Sequence, residues 1–520
     1  MTDVSRRTFI KFVGGSTTAL GLGFSGPAWA QTGVAKTKTT TPGRTLETDV
    51  AVIGGGCAGL AAAETAAEMG LKVAVFEKQE RLAQGGNGPF AVESRLQREK
   101  HLTFTVQDAL EFYMKHTHYR ADAKLVKAYL SKSASTIDWF EKLGIKFVDL
   151  VSYYPGAQVT WHYKDPNGPA LTDALAAKAK SLGAVIYMQT PAKQLIKENG
   201  RITGLIAEDK TGTVMRVNTK AVVIGTGGFG ENIEMVERYT KFAGYPFLNR
   251  MSNPSLNGEG IQMAWEAGAA QSEMWMDTYR SLPGQYAGPG GTSYELGVFR
   301  QPILMVNQLG ERFVNEEVVY NGGFSGNAVD AQKGRCAYGI FDEDTNKYYE
   351  ENNWDWVLAQ MDYKRSKDVG GIIRKAMADG YQHLFMADSI DELCRQAGID
   401  KAGLAKTLDE YNRACDNGRD ELFFKKDRFL RPVRKPKFYA GRFYLSVYGG
   451  LGGVKINHRA EVMTKDFDVI PGLYCGGNDA NSICNGTYPF YLCGHTSGFA
   501  YNTGRIAGEN ASAYIMNMNS

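Results

Sequence analysis

A chain of 520 residues is longer than one hydrophobic core usually organises, so two or three domains are expected. Its 43% hydrophobic and 22% charged residues are ordinary soluble-globular composition. A formal net charge of +3, with no long run of like charge, argues against nucleic acid or an anionic lipid surface as a partner.

The N-terminus reads as an address. Ser5-Arg6-Arg7-Thr8-Phe9-Ile10-Lys11 resembles the twin-arginine export consensus, and a weakly apolar stretch over 12–24 leads to Ala28-Trp29-Ala30, an A-x-A cleavage site. The stretch is too short for a permanent membrane helix, and no other candidate span follows. Residues 1–30 are therefore expected to be a signal read by the twin-arginine (Tat) translocase. That route carries folded, cofactor-loaded proteins, so the mature chain is expected in the periplasm. Residues 31–47, rich in Thr, Lys and Gly, read as a flexible linker.

Residues 49–53 (DVAVI) have the apolar, β-branched pattern of a buried parallel strand. They run straight into Gly54-Gly55-Gly56-Cys57-Ala58-Gly59, a G-x-G-x-x-G. Residues 60–69 have helical composition with Gly70 as a stop, and a second strand over 72–76 ends at Glu77-Lys78. Gly54 is expected to make the tight turn, Gly56 to admit a pyrophosphate and Gly59 to let helix and strand pack closely. The helix N-terminus, with Ala58 in its first turn, would face the phosphates, and Glu77 would accept hydrogen bonds from ribose hydroxyls. A lone G-x-G-x-x-G is weak evidence, but here the strand–turn–helix–strand context and the acidic residue are both present.

Four more glycine segments follow: Gly85-Gly86-Asn87 within 81–92, AVVIGTGGFG over 221–230, GLYCGGND over 472–479, and Gly504-Arg505-Ile506-Ala507-Gly508. Together they resemble the fumarate reductase/ketosteroid dehydrogenase family of FAD-dependent oxidoreductases (FAD-binding type 2), over residues 48–510. The resemblance implies an α/β fold, a doubly wound Rossmann-like FAD-binding domain interrupted by a smaller α+β capping domain. The FAD-binding parts are placed at 48–273 and 439–520 and the cap at 274–438. Within the cap, 355–379 and 401–415 read as surface helices and 425–437 as a basic return loop. The resemblance also implies FAD contacts from Gly85, Gly86, Asn87, Ala192, Gly227, Gly228, Asn478 and Asp479. His495, Thr496 and Ser497 would sit at a helix N-terminus facing the flavin, though a packing role for His495 is an equal alternative. FAD is expected to be non-covalent, because residues 77–92 contain no histidine for the family's covalent link.

Fumarate reductases of this family clamp a dianion with arginines and a histidine, since buried carboxylates need paired cations. The proton-donating arginine follows an R-F-x-N-E segment by four residues; here that segment is 312–316 and the position holds Tyr320. The second arginine aligns with Tyr491, and the histidine aligns near Gly449, beside Tyr448. Fumarate is thus an unexpected substrate. The ketosteroid dehydrogenase branch is the nearer resemblance: it implies that Tyr320 moves the proton, while Tyr488 of Thr487-Tyr488-Pro489 and Gly494 polarise a carbonyl, with Tyr491 close by. Packing alone is the competing reading for these tyrosines.

These residues point to reduction of a carbonyl-activated C=C bond in a small molecule, an enone or enoate, by hydride from FAD N5 and a proton from a tyrosine. With no C-x-x-C-H haem motif and no second dinucleotide fingerprint, a separate cytochrome c or other respiratory donor is expected to supply electrons. The alternatives are a 3-ketosteroid-type dehydrogenase running oxidatively, or a catalytically silent flavin-binding electron-transfer subunit. No cysteine pair suits sulfide chemistry, and Cys475, Cys484 and Cys493 read as buried thiols. His116 and His118 read as surface residues, and no metal site is visible.

Overall fold

The computed structural model describes residues 42–83, 85–244, 249–250, 255–288, 292–355 and 368–518. The twin-arginine segment and residues 31–41 lie outside the described residues.

Short runs of Val, Ala, Ile and Phe, buried along their whole length, build the central sheet. Its strand order is Glu461–Met463, Val469–Cys475, Ala221–Ile224, Val50–Ile53, Val73–Phe76, Val185–Tyr187. All pairings are parallel except that of Glu461–Met463 at one edge. Strands this apolar need cover on both faces. Helices Cys57–Glu68 and His495–Met518 and the strand Arg201–Glu208 of a second sheet pack against it. The two helices approach closely because the terminal glycine motif has no side chains in the way. A Cβ on Gly504 would stand 2.3 Å from the Ala58 carbonyl oxygen, and one on Gly508 2.7 Å from that of Ala62.

The second sheet corrects the expected linker. Arg44–Glu47 is a strand, parallel to Val214–Asn218, with Arg44 opposite Met215 and Glu47 opposite Asn218. Asn218 Nδ2 also donates to Glu47 Oε1 at 2.6 Å. Edge pairing of this kind depends on a partner distant in sequence, which composition does not reveal.

A third sheet forms on the fourteen-residue strand Phe438–Leu451. Trp275–Ser281, Ala337–Asp342 and Leu384–Ala387 all pair antiparallel to it, and Leu304–Val306 extends the sheet from Ala337–Asp342. The cap boundary expected at 438 therefore falls at the start of this sheet's main strand, and residues to 451 belong with it. Of the two helices expected in this region, one is Lys401–Asp416 and the other is Val369–Ala378 among the described residues, with 356–367 of its expected span outside them. Asp368 and Asp400 cap them, each accepting from a backbone N–H at 2.7 Å. Among the described residues no helix is long and apolar enough to cross a membrane.

One buried acid makes stability depend on pH. Glu64, fully buried in helix Cys57–Glu68, accepts from Trp139 Nε1 at 3.0 Å through Oε2, and its Oε1 has no partner. Burial, reinforced by Glu68, raises its carboxyl to about 7. The fold thus favours the neutral acid, a stabilisation complete below the unfolded value near 4.5 and lost as pH climbs through 7. Glu64→Gln is expected to match the parent at pH 5 and to exceed it at pH 8 by about 1–3 kcal/mol, visible as a raised thermal midpoint. Equal midpoints at pH 8 would contradict this.

Candidate active site

The chain turns sharply between Val50–Ile53 and Cys57–Glu68. Gly54 has φ +103°, and a Cβ there would meet the Gly225 carbonyl oxygen at 2.3 Å. A Cβ on Gly59 would lie 1.9 Å from the Gly54 carbonyl oxygen, so only glycine lets the helix start this close to the strand. Gly56 differs from both, with nothing within 4 Å of its Cβ position. The helix that Gly56 opens has no side-chain cap and no acidic residue in its first turn, which leaves its N–H groups directed at the open space.

That space is a cavity of about 590 Å³. Gly54, Gly56 and Ala58 line it, as do Glu77 and Lys78. The Glu77 carboxylate accepts from Gly55 N at 2.6 Å and Gln79 N at 2.7 Å, which fixes its orientation, and Lys78 pairs with Glu259. Gly85, Gly86, Asn87, Ala192 and Gly227 continue the wall. Asn478 completes it, its Oδ1 buried without a partner. An uncapped helix start, an open glycine, a fixed carboxylate and an orphaned amide oxygen together match a dinucleotide's phosphates and hydroxyls, so the residues present fit FAD.

Three residues expected to touch the cofactor lie behind this wall. Gly59 packs beneath the turn. Asp479 is fully buried and accepts from Thr226 N at 2.5 Å, Thr226 Oγ1 at 2.9 Å, Gly227 N at 3.1 Å and Gly228 N at 2.8 Å. It therefore braces the 226–228 turn, with Gly228 in the brace, while its neighbour Asn478 faces the cavity.

The same cavity carries the tyrosines. Tyr320 ends the turn Glu316–Tyr320, and its ring packs edge-on against Phe429, centroids 6.0 Å apart. The R-F-x-N-E segment anchors this turn. Arg312 spans Glu316 and Asp420 with four hydrogen bonds of 2.8–3.0 Å, and buried Lys425 lies 3.5 Å from Glu316. Burial works against Asp420's charge, yet Arg312 holds its carboxyl down at about 2. The Tyr320 phenol is pushed well above its ordinary value by burial, with Asp355 and Glu317 adding to the effect. It remains a protonated acid at neutral pH.

Tyr488, 5% exposed, also lines the cavity. Its oxygen accepts from Thr496 N at 3.1 Å and Thr496 Oγ1 at 3.0 Å, so its own proton is left to point elsewhere. Asn327 Nδ2 on Thr487 Oγ1 (2.9 Å) and His116 Nε2 at the Thr487 carbonyl (2.8 Å) hold the Thr-Tyr-Pro turn. His116 is thus half-buried, stacked on Phe112 at 5.3 Å, and not the surface residue expected; His118 is exposed. Gly494 (φ +80°), Thr496 and Ser497 line the cavity beside Tyr488, with Ser497 Oγ donating to the Gly88 carbonyl at 2.7 Å.

Two candidates are elsewhere. Tyr491 does not line the cavity: its ring stacks on Phe112 at 4.6 Å and its hydroxyl accepts from Gln158 Nε2 at 2.6 Å. His495 is fully buried between the Tyr113 hydroxyl and the Cys484 thiol, the latter 3.1 Å from Nε2, and burial lowers it to about 3. It is a neutral packing residue at the start of helix His495–Met518. Cys475, Cys484 and Cys493 are buried free thiols.

The cavity also shows what sequence reasoning missed. Tyr153, Trp161, Asp277, Tyr279, Arg300 and Tyr448 line it. Tyr279 and Tyr448 stack at 4.4 Å. The one visible clue was an acid, Asp277, inside WMDTY, a run whose other residues include no charge. Arg300 is 4% exposed, so the cavity is not free of cations.

Fold and site together define a flavoprotein oxidoreductase whose dinucleotide cradle opens into an aromatic, hydroxyl-lined chamber. The chain belongs to the FAD binding domain family, which matches it over residues 49–496. It is 31% identical to the vinyl phenol reductase of Lactiplantibacillus plantarum over 482 residues, 90% of this chain and 96% of the relative. It is 28% identical to the fumarate reductase (cytochrome) of Shewanella frigidimarina, over 90% of this chain and 77% of that one. The solved 3-ketosteroid-Δ4-(5α)-dehydrogenase of Rhodococcus jostii RHA1 shares the fold, with TM-score 0.71 and 22% identity over 92% of this chain and 99% of that one. The protein is an FAD-dependent oxidoreductase whose relatives act on C=C or CH–CH groups.

Proposed function

We propose that this enzyme reduces a carbonyl-activated C=C bond in a small enone or enoate. The observation that carries the reading is the continuity of one cavity from the Gly54–Gly56 cradle to the hydroxyls of Tyr320 and Tyr488. Reduced FAD, when bound in that cradle, would provide hydride chemistry at the alkene. Tyr488, with its proton directed away from Thr496, donates to the substrate oxygen on which negative charge then develops, and the chain at Gly494 closes beside it. Tyr320 delivers its proton to the neighbouring carbon and recovers one from solvent, so that two electrons and two hydrogens have entered the substrate. The relatives named for reductases of vinyl phenol, acrylate and urocanate support the reductive direction. Arg300 favours one specific variant, an aryl acrylate whose single carboxylate it would pair. Anaerobic addition of neutral enones, aryl acrylates and dicarboxylates to photoreduced holoenzyme tests the reading. Rapid flavin reoxidation by enones or acrylates is expected, and reoxidation by none of them overturns it.

The same proposal includes a periplasmic location and electrons from a cytochrome c or comparable respiratory donor. The Ser5–Lys11 pattern supports the first, and the relative named as a cytochrome fumarate reductase supports the second. Arg6→Lys with Arg7→Lys is expected to leave flavin-loaded precursor in the cytoplasm. Unchanged periplasmic activity in that double variant would contradict export by this signal.

A further inference from the structure

Besides Glu77 and Glu259, a third acidic residue lines the cavity, and its setting is different. Backbone N–H groups satisfy Glu77, and Lys78 pairs Glu259. Asp277 lies where the register of strand Trp275–Ser281 shifts against Phe438–Leu451. Met276 faces Gly450 and Thr278 faces Val447, so Asp277 alone stands opposite Tyr448 and Gly449. A bulge of this kind re-aims side chains, and all three of these residues line the cavity. Asp277 is 4% exposed, and its Oδ1 is buried without a hydrogen-bond partner.

A buried oxygen without a partner forfeits the hydrogen bonds that water would give it, so a wall that keeps one calls for a group the chain does not supply. We propose that the Asp277 carboxylic acid, which lines the same cavity as Tyr488, donates a second hydrogen bond to the substrate oxygen that gains negative charge; this rests on the reductase reading above. Burial raises the Asp277 carboxyl well above the ordinary carboxylate range, with no cation offsetting it. The nearby Arg300 acts on Tyr279. Tyr153, Tyr279 and Tyr488 line the same cavity, and an ionised Asp277 would raise all three. A carboxylic acid kept neutral by its site is a strong donor to a forming enolate, whereas a carboxylate would repel it. The proton stays on Asp277 throughout, so no further acid or base is needed.

Asp277→Asn preserves shape and an N–H donor, and Asp277→Leu removes the donor. Two quantities separate them: reoxidation of photoreduced holoenzyme by benzylideneacetone, and the Kd of that enone for oxidised holoenzyme, read from the flavin spectrum. Asp277→Asn is expected within about five-fold of the parent in both, while Asp277→Leu should lose roughly a hundred-fold in rate and ten-fold in binding at full flavin content. A leucine variant equal to the parent overturns the assignment. So does an asparagine variant impaired a hundred-fold, because an ionised aspartate would then be the working form; this holds even if the leucine variant fails to fold. Parent enzyme that no enone or acrylate reoxidises would instead sink the reductase reading itself.

Discussion

Tyr320→Phe is expected to lower the rate of substrate-driven flavin reoxidation by roughly a hundred- to ten-thousand-fold, the usual range for loss of a general acid. The substitution keeps the ring against Phe429 and removes only the hydroxyl. The turn that presents it is held by the buried Arg312, Glu316 and Asp420 cluster, which the substitution does not touch. Flavin content and substrate Kd should therefore stay near those of the parent. Tyr488→Phe provides the contrast, since it removes a ligand to the substrate oxygen and should weaken binding as well as slow turnover. Parent-like reoxidation in Tyr320→Phe would refute the proton-donor role and leave the flavoprotein assignment intact.

Gly56→Val is expected to yield a folded protein that purifies colourless, with flavin occupancy below about a tenth of the parent's. Gly56 has an extended backbone, φ −94° and ψ −166°, which valine adopts readily. Nothing lies within 4 Å of its Cβ position, so the protein itself offers no clash. The added methyls would instead fill the space where the phosphates approach the uncapped helix start. Absorbance at the flavin band and circular dichroism, read together, decide it: yellow protein would disprove the cradle, and unfolded protein would show that Gly56 serves packing. Gly59→Ala should show that second behaviour, because its Cβ would collide with the Gly54 carbonyl oxygen.

Local chemistry alone made several features legible from the sequence. The glycine turn, the strands beside it and Glu77 could be read because each depends on residues within about thirty positions of one another. Tyr320 and Tyr488 stood out through resemblance to the ketosteroid dehydrogenase branch, carried by short segments. Asp479 and Asn478 show the limit: adjacent in sequence, they read alike as cofactor contacts, and only the fold makes Asp479 the brace of the 226–228 turn and turns Asn478 toward the cavity.

The chamber's opposite wall was decided by tertiary structure. Asp277, Arg300 and Tyr448 come from segments up to 171 residues apart, Asp277 and Tyr448 meeting through a register shift between two strands. Register depends on pairing partners and carries no local signature. The same physics moved Tyr491 and His495 out of the site, the first into an aromatic stack with Phe112 and the second into a buried contact with Cys484. A tyrosine or histidine looks alike in sequence whether it faces a ligand or the core, and packing decides which. By itself, then, the sequence determined the cofactor's cradle and the short segment that carries Tyr320. The fold determined which other groups share that chamber, because burial and strand register are properties of the assembled chain.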